Sequence, residues 1–324
     1  MEDLSRRNFI KCVVGAGILI DILNKLTLNS QLLKLSTMNK ILLTSFVLML
    51  FTINSVIAQE AKRSPVWGIA KMTFLVSDMD MARDYYGTFL GFDEAFSYSS
   101  SLGTVVSFKV NDRQFLEFVV DKDAKRKKRL VSVSLETESV SEMKFYLESM
   151  GAKPASIKVD GAGNEVCIVQ DLWGNNVEFI DLKEDGLHRI SKGKYLSENR
   201  ISKRIHHAGL PADKVDSEDS FWVGIMKCWE IVRYPIDKSE PGVIHYLGLA
   251  DCTESIEHYT GRDENFSHPC FLVENMQETI YTLKERRGKY QIGRPSIGRT
   301  KRWLLNLVTP DETRVEFTEA YCIK

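Results

Sequence analysis

The sequence predicts an α+β fold built from paired βαβββ modules, and three observations lead to this prediction. A strand pattern, a helical pattern and a set of short strand patterns follow one another, and this order occurs four times at intervals of about 55–60 residues. A polar stretch at 186–202 separates the second copy from the third. The chain of 324 residues is long enough for two domains.

The first module begins at Val66 with the apolar strand VWGIAKMTFLVSD. In the next segment Ala82, Tyr85 and Phe89 recur at helical spacing, and Gly91 is a typical helix stop. A VNDRQ turn separates the last two of three strand candidates, which are EAFSYSS, TVVSFKV and RQFLEFVV. The predicted order is therefore β-α-β-β-β.

The second module has the same order. Its first strand is KRLVSVSLETES, and its helix VSEMKFYLESM ends at Gly151. A DLWGNN turn separates the last two of its three short strands, which are KPASIKVDG, NEVCIVQD and NNVEFIDL.

The third and fourth modules follow the polar stretch. The third begins with the strand RIHHAGLPAD, continues with the helix SEDSFWVGIMKCWEIVR and has a later strand GVIHYLGLAD. The helix carries Trp222 and Trp229 seven residues apart, which predicts that both pack in the core. The fourth has the strand SHPCFLVEN, the helix MQETIYTLKERRG and the closing hairpin RWLLNLVTPDETRVEFTEA. Because a single module leaves strand edges unpaired and one sheet face apolar, modules are expected to pair. The four modules therefore form two domains, at 64–185 and 203–320, joined by a linker at 186–202.

Residues 1–58 are predicted to be a targeting region outside the fold. The paired arginines of SRRNFIK, at 5–11, resemble a twin-arginine export signal. The segment at 38–58 has a lysine, a long apolar run and small residues that suit cleavage after Ala58. Two explanations of this tandem stay open: translation starts at Met38, or the first segment serves a separate targeting route. The other interpretation is that one apolar run anchors the chain in a membrane. We expect export, to the periplasm or out of the cell.

Composition argues against two classes of partner. The net charge of -1 gives no basic excess for nucleic acid, and no lysine-rich amphipathic stretch indicates a membrane surface once the signal is removed. The six cysteines have no CxxC spacing, which favours small buried residues over a disulfide framework. The expected partner is a small-molecule substrate, and a homo-oligomer is compatible with the sequence.

The chain resembles the glyoxalase/bleomycin-resistance/dioxygenase modules of the vicinal oxygen chelate superfamily. The segment FLVSDMDMARDYYGTFLGF is similar to the opening of such a module, and VQDLWGNNVEFID and LVTPDETRVEFTE are similar to its closing hairpin. The resemblance implies two glyoxalase-like domains of two modules each. It does not define the reaction, because members of this superfamily isomerise, epimerise, cleave rings, open epoxides or sequester drugs.

The resemblance implies metal ligands on the first and last strands of each module, pointing into a cupped sheet. In the domain at 64–185 these positions hold Lys71, Glu117, Ser132 and Glu178. A lysine and a serine cannot replace neutral imidazoles at a divalent site. This domain is therefore expected to lack an intact metal site and to serve as a scaffold or a substrate wall.

In the C-terminal domain the corresponding positions hold His207, His268 and Glu316. Two imidazoles and a carboxylate leave coordination positions open for substrate and water. The remaining last-strand position falls near VIHYLG, where His245 is the expected fourth ligand, or Gly248 if the register slips. We therefore expect one divalent metal ion, and Zn, Mn, Ni, Co and Fe(II) all fit this ligand set.

The remaining histidines are expected outside the centre. His206 directly precedes His207, so strand alternation predicts that it points to the opposite face, where it either supports a ligand residue or lies on the surface. His188 falls in the predicted linker and His258 in a predicted loop, and both are expected to be solvated.

Metal-assisted proton transfer or elimination is the expected reaction, of the isomerase, epimerase or lyase type, on a small substrate with vicinal oxygens. Glu316 could act as general base only by leaving the metal, and His245 is the better base if it is not a ligand. The expected substrate-binding residues are Asn306 and the basic RTKR cluster, which includes Arg299 and Arg302. The other interpretation of RTKR is a solvated strand.

Two alternative functions stay open. The first alternative is an extradiol ring-cleaving dioxygenase. It is implied by a resemblance to that family, whose members have a His, His, Glu set confined to the second domain. That resemblance also implies a histidine and a tyrosine before the carboxylate, and Asn306 stands at the tyrosine's place. Export is also unusual for a ferrous oxygenase, because Fe(II) oxidises readily. The second alternative is a non-catalytic protein that binds a small molecule in a metal-free apolar cleft.

Overall fold

Two mixed eight-stranded sheets, each curled into a half-barrel, carry the fold in a computed structural model that describes residues 61–123, 126–286 and 288–323. The predicted export signals at 5–11 and 38–58 lie outside the described residues. No helix in the described part of the chain is long and apolar enough to cross a membrane.

The first sheet and its helices come from the first two modules. Helix α1 starts as an α-helical turn at Met79–Ala82 and continues as a π-helix at Arg83–Phe89, helix α2 spans Val140–Ser149, and the short helix α3 spans Leu187–Ile190. The strands are β1 (Val66–Val76), β2 (Asp93–Ser100), β3 (Gly103–Lys109), β4 (Phe115–Val120), β5 (Leu130–Thr137), β6 (Lys158–Val159), β7 (Glu165–Gln170) and β8 (Asn176–Asp181).

The second sheet and its helices come from the last two modules. Helix α4 starts at Val215–Asp219 and continues as a π-helix at Ser220–Ile225, a 3-10 turn spans Glu264–Phe266, and helix α5 spans Met276–Arg286. The strands are β9 (Ile205–Ala212), β10 (Trp229–Tyr234), β11 (Ile244–Gly248), β12 (Ser255–Thr260), β13 (His268–Val273), β14 (Ser296–Ile297), β15 (Trp303–Val308) and β16 (Arg314–Glu319).

The two sheets have the same strand order. The first runs β2-β3-β4-β1-β5-β8-β7-β6, and the second runs β10-β11-β12-β9-β13-β16-β15-β14. In the second sheet β9 pairs with β12 in parallel and with β13 antiparallel, and β13 pairs with β16 in parallel. The first and last strands of each module therefore lie side by side at the middle of a sheet. The prediction of four βαβββ modules in two glyoxalase-like halves is confirmed.

Local sequence explains where the helices begin. The Asp78 side chain accepts a hydrogen bond from the Met81 amide at the start of α1, and the Ser139 side chain accepts one from Glu142 at the start of α2. Apolar residues on the helix-facing side of each sheet, such as Ala208 and Leu210 on β9, pack in the core. The opposite face of each sheet is free to carry polar groups.

The third module differs from its prediction in two respects. A further strand, β12, follows the strand that holds His245, so neither His245 nor Gly248 occupies the last-strand position. Helix α4 ends before Trp229, which lies on β10 with 56% of its surface exposed, whereas Trp222 is buried in α4. The prediction of core packing is therefore wrong for Trp229.

Candidate metal centre

Four side chains from the middle strands of the second sheet meet on its cupped face. They are His207 on β9, Glu257 on β12, His268 on β13 and Glu316 on β16. Their meeting follows from register, because Gly209 on β9 is the partner of both Glu257 and His268. A Cβ atom at position 209 would lie 1.9 Å from Cε1 of His268. The glycine therefore lets the His268 ring lie across β9 toward Glu257.

Ligand atoms of His207, His268 and Glu316 lie within 4.8 Å of one another, close enough to surround one ion, and Glu257 approaches both imidazoles. His207 Nε2 is 3.6 Å from Glu257 Oε2 and 3.6 Å from Glu316 Oε1. His268 Nε2 is 3.4 Å from Glu257 Oε2 and 3.9 Å from Glu316 Oε2. Atoms bound to one ion at about 2.1 Å lie about 3.0–4.2 Å apart in octahedral geometry. All four residues are at most 2% exposed.

The hydrogen-bonding pattern also fits a metal. The buried atoms His207 Nε2, His268 Nε2 and Glu257 Oε2 have no hydrogen-bond partner, which would be costly unless another group satisfied them. His268 Nδ1 lies 2.8 Å from the carbonyl oxygen of Phe266. Because a carbonyl can only accept, Nδ1 carries the proton and Nε2 presents its lone pair to the centre.

The charge states at neutral pH suit a divalent cation. Burial, assisted by the nearby Arg314 guanidinium, lowers the pKa of His268 to about 4, so this imidazole is neutral. The centre thus places a neutral His268 imidazole beside carboxylates, as metal binding requires.

Neighbouring side chains hold the two carboxylates. The Tyr246 hydroxyl donates to Glu257 Oε1, and burial together with Glu257 raises the pKa of Tyr246 well above its usual value, so it remains a donor. Glu316 Oε1 accepts from the Cys270 thiol at 3.3 Å, and Glu316 Oε2 accepts from Arg314 Nη2. Glu257 Oε2 is therefore the freest carboxylate oxygen of the centre.

A cleft of about 640 Å³ opens beside the centre, and Tyr246, Glu257 and Arg314 form part of its wall. Two predicted substrate-binding residues also line it. Arg299 stacks on Tyr234, with its guanidinium carbon 3.7 Å from the ring centroid. Asn306 Oδ1 accepts a 2.6 Å hydrogen bond from Arg314 Nε.

The third predicted substrate-binding residue, Arg302, contacts His206 instead, with Nη1 3.0 Å from His206 Nε2. His206 Nδ1 is in turn 3.0 Å from His207 Nδ1. The prediction that His206 faces away from His207 is therefore wrong. A register shift in the pairing of β9 with β13 places an extra residue between Ile205 and His207, and such a bulge breaks strict alternation.

His245 lies away from the centre, and the prediction that it is a ligand or a base there is wrong. It is next to Tyr246 on β11, so alternation directs it to the helix-covered face. There its Nδ1 is 2.9 Å from Asp219 and its Nε2 is 3.1 Å from Glu230.

The two histidines expected in solvent are both buried. His258 lies on β12, beside His245, and is fully buried. His188 is 1% exposed in α3, where Nδ1 is 3.0 Å from Asn164 Nδ2 and Nε2 is 3.0 Å from Glu117 Oε1. Helix α3 therefore packs part of the predicted linker against the first sheet.

The first sheet has a lysine ammonium where the second has imidazoles. Lys71 Nζ lies 3.0 Å from Glu117, 3.5 Å from Glu178 and 3.6 Å from Asp160. Although burial alone would lower the pKa of Lys71, Glu117 and Glu178 raise it well above its usual value. Ser132 occupies the register position of His268, opposite Thr73. The ammonium thus offsets part of the negative charge of the carboxylates that face it.

Glu257 is the residue of the centre that the sequence analysis missed. Its signal is a tripeptide found at the last strand of every module: an aliphatic residue, a glutamate and an aromatic or histidine residue. The four copies are 116–118, 177–179, 256–258 and 315–317. Aligning the strand that contains His245 with the first of these copies concealed the match. Arg314 and Tyr246 carried no comparable signal.

No protein-family model and no curated protein matches the sequence. Solved structures do match. A variant of homoprotocatechuate 2,3-dioxygenase from B. fuscum superposes with a TM-score of 0.63 at 13% identity, over 80% of this chain and 73% of that chain. The 2,3-dioxygenase LapB from Pseudomonas sp. KL28 superposes with a TM-score of 0.63 at 12% identity, over 80% and 96% of the two chains.

A third similar structure is the complex of homoprotocatechuate 2,3-dioxygenase from Brevibacterium fuscum with 3,4-dihydroxyphenylacetate. Its TM-score is 0.60 at 13% identity, over 80% of this chain and 82% of that chain. At such identities the likeness concerns the fold. The chain has the vicinal oxygen chelate fold in its two-domain, four-module form.

Proposed function

We propose that this chain is a metal-dependent enzyme that catalyses proton transfer or elimination on a small substrate with two vicinal oxygens. The reaction class is that of isomerases, epimerases and lyases. One divalent ion would be held by His207, Glu257, His268 and Glu316, and the substrate would enter through the cleft lined by Arg299, Asn306 and Arg314.

The second carboxylate, Glu257, is the observation that supports this proposal best. Four protein ligands on a six-coordinate ion leave two positions open, which is enough for two vicinal oxygens. An oxygenase that binds both oxygens of a catechol and dioxygen at one ion needs a third open position. The two-histidine, two-carboxylate set therefore favours proton transfer over oxygen chemistry.

The bound ion would act as a Lewis acid that stabilises negative charge on the substrate oxygens and acidifies the adjoining C–H bond. Glu257 is our candidate general base, acting through Oε2, which would have to be released from the ion to accept the substrate proton; Oε2 has no hydrogen-bond partner and the residue lines the cleft. Tyr246 holds the other oxygen of Glu257 and so orients it. This assignment replaces Glu316, both of whose oxygens accept hydrogen bonds, and His245, which faces away.

Arginine side chains in the cleft would bind the charged substrate. Arg314 lines the wall between Asn306 and Glu316 and can donate to a substrate oxygen that gains negative charge. Arg299 lies farther along the same cleft, held by the Tyr234 ring, and suits a carboxylate or phosphate at the far end of the substrate.

An extradiol dioxygenase is the second candidate function, and the similar structures support it. They are ring-cleaving dioxygenases, one of them in complex with a catechol substrate. His207, His268 and Glu316 together form a two-histidine, one-carboxylate group typical of non-heme Fe(II) oxygenases. In that reaction Glu257 would not bind the metal. A protein that binds a small molecule without reaction is the remaining alternative.

The deciding experiment tests the full chain loaded without oxygen with Mn, Fe(II), Co, Ni or Zn. Proton NMR in D₂O would follow C–H exchange in α-hydroxy carbonyl compounds, and an oxygen electrode would follow uptake with catechols. We expect anaerobic exchange, reduced about 100-fold or more in Glu257→Gln. Oxygen uptake that yields ring-cleaved product and survives Glu257→Gln would establish the dioxygenase instead. Loaded protein with neither activity would favour the binding function.

We also propose that the protein is exported, on the strength of the two signal-like segments at 5–11 and 38–58. N-terminal sequencing of the mature protein from its native cell tests this. Cleavage after Ala58 in an extracytoplasmic fraction is expected, and an uncleaved cytoplasmic chain would contradict it.

A further inference from the structure

We propose that Asp171, Glu218 and His258 bind a second divalent metal ion, which joins the two halves of the fold. Asp171 belongs to the first half, in the turn between β7 and β8. Glu218 lies in α4 and His258 on β12, both in the second half. One ligand atom from each residue lies within 4.8 Å of the other two. An ion here would therefore connect the first sheet to the second.

The three residues are buried, with exposed fractions of 4% for Asp171, 2% for Glu218 and 0% for His258. Ligand atoms at about 2.1 Å from one ion lie at most about 4.2 Å apart. Because the three ligand atoms already lie within 4.8 Å of one another, only small side-chain movements would bring them around an ion.

His258 supplies an independent observation that points to a ligand. Neither of its ring nitrogens has a hydrogen-bond partner, although the side chain is fully buried. Each unsatisfied buried polar group costs about 1–3 kcal/mol. The ring packs near Trp222, at 5.6 Å between centroids, which offers no acceptor. Coordination to a metal would satisfy one of these nitrogens.

The two carboxylates are held in place by amide groups, and Lys128, whose charge acts on Asp171, forms no ion pair with either of them. Asp171 Oδ1 accepts from the amides of Trp173 and Asn175, at 3.1 Å and 2.8 Å. Glu218 Oε2 accepts from the Leu172 amide at 3.3 Å. Within the described ranges, neither carboxylate forms an ion pair with a lysine, arginine or histidine.

The sheet separates this site from the first centre. His258 and Glu257 are consecutive on β12 and point to opposite faces. Glu257 meets Tyr246 on the cupped face, whereas His258 meets Trp222 on the helix-covered face. The two sites share no ligand, so each can be removed without the other. The donor set of one imidazole and two carboxylates suits Zn²⁺ or Mn²⁺.

The test uses the full chain, stripped with a chelator and titrated with Zn²⁺ by calorimetry. Wild type is expected to bind two equivalents. His207→Ala lacks a ligand of the first centre and should bind one equivalent, at the second site. Glu218→Gln is isosteric with the wild-type residue and should also bind one equivalent, at the first centre. Glu230→Gln is the matched control, because it changes a carboxylate beside a different buried histidine, His245. It should keep two equivalents.

Diffraction at the zinc absorption edge from wild-type crystals soaked in Zn²⁺ provides a readout independent of folding of the variants. A peak among Asp171, Glu218 and His258 is expected. Two results would overturn the proposal: no peak there, or an unchanged stoichiometry in folded Glu218→Gln. Asp171 and Glu218 would then share a proton instead of a metal. Neither result bears on the first centre, whose loss is read from His207→Ala.

Discussion

Glu257 Oε2 lies 3.4 Å from His268 Nε2, although the two residues come from strands on opposite sides of β9. The approach depends on Gly209, which is the β9 partner of both residues and has no side chain to separate them. The composition of the centre is therefore a consequence of strand register at one glycine.

Gly209→Ala should displace His268 and weaken metal binding, because the new Cβ would lie 1.9 Å from the ring. We expect at least a tenfold loss of affinity, on the order of that seen when ligand orientation is disturbed. Calorimetric titration measures it. Gly87→Ala is the control, since its Cβ would be no closer than 3.4 Å to its nearest neighbour. Equal affinities in the two variants would show that His268 is not a ligand.

Separate removal of His207, Glu257, His268 and Glu316 should lower the metal content of the first centre. His245→Ala should leave it unchanged, because His245 is on the opposite face. Metal analysis of the purified, folded variants measures this metal content. Retention of metal by Glu257→Gln alone would reduce the centre to the three-ligand group that an oxygenase uses.

Tyr246→Phe should weaken the metal affinity by about 10–100-fold, because it removes the hydroxyl that orients Glu257. Tyr259→Phe is the matched control, because Tyr259 lines the same cleft but packs edge-on against Phe266 rather than holding a ligand. A competition assay with a chromophoric chelator measures both. Indistinguishable affinities would mean that Glu257 does not depend on Tyr246.

Lys71→Met should lower the free energy of unfolding by about 3–5 kcal/mol, because it leaves buried Glu117 and Glu178 without their cation. Urea denaturation measures the change. Lys144→Met, which removes a surface ion pair with Glu148, should cost no more than about 1 kcal/mol. The double variant Lys71→Met/Glu117→Gln should recover part of the loss. No recovery would indicate that lost packing, not charge, explains the destabilisation.

Stability of the metal-free protein should fall with decreasing pH below about 6.5. Burial lowers the pKa of His206 to about 2, of His258 to about 3 and of His268 to about 4. Between those values and the unfolded value near 6.5, the unfolded chain binds protons that the folded chain does not, so acid favours unfolding. Each histidine contributes up to about 1.4 kcal/mol per pH unit.

Urea unfolding in the presence of a chelator at pH 7, 6 and 5 checks this slope. His206→Gln should reduce the slope of the free energy of unfolding against pH by about the contribution of one bound proton. A stability that does not change between pH 7 and pH 5 would show that these imidazoles are not buried in the neutral form.

Much of the fold could be predicted because its signals are local. Alternation along strands, helical spacing and glycine stops mark each module wherever it packs. His207, His268 and Glu316 were predicted to share one centre from their equivalent places in the modules, and the structure brings one ligand atom of each within 4.8 Å of the others.

Tertiary structure decided what depends on pairing between distant segments. The extra strand β12 put Glu257 where His245 was expected, and a bulge in β9 turned His206 toward His207. Neither follows from alternation, because a shift of one residue exchanges the faces of a strand.

The sequence by itself determined that four similar modules exist and which residues stand at their first and last strands. Only the tertiary structure decided that the Lys71 ammonium lies among carboxylates on the cupped face of the first sheet. It also decided that Asp171, from the first half of the fold, lies near His258, from the second half. The reason is that periodicity records the conformation of one segment, whereas a site needs the register between segments.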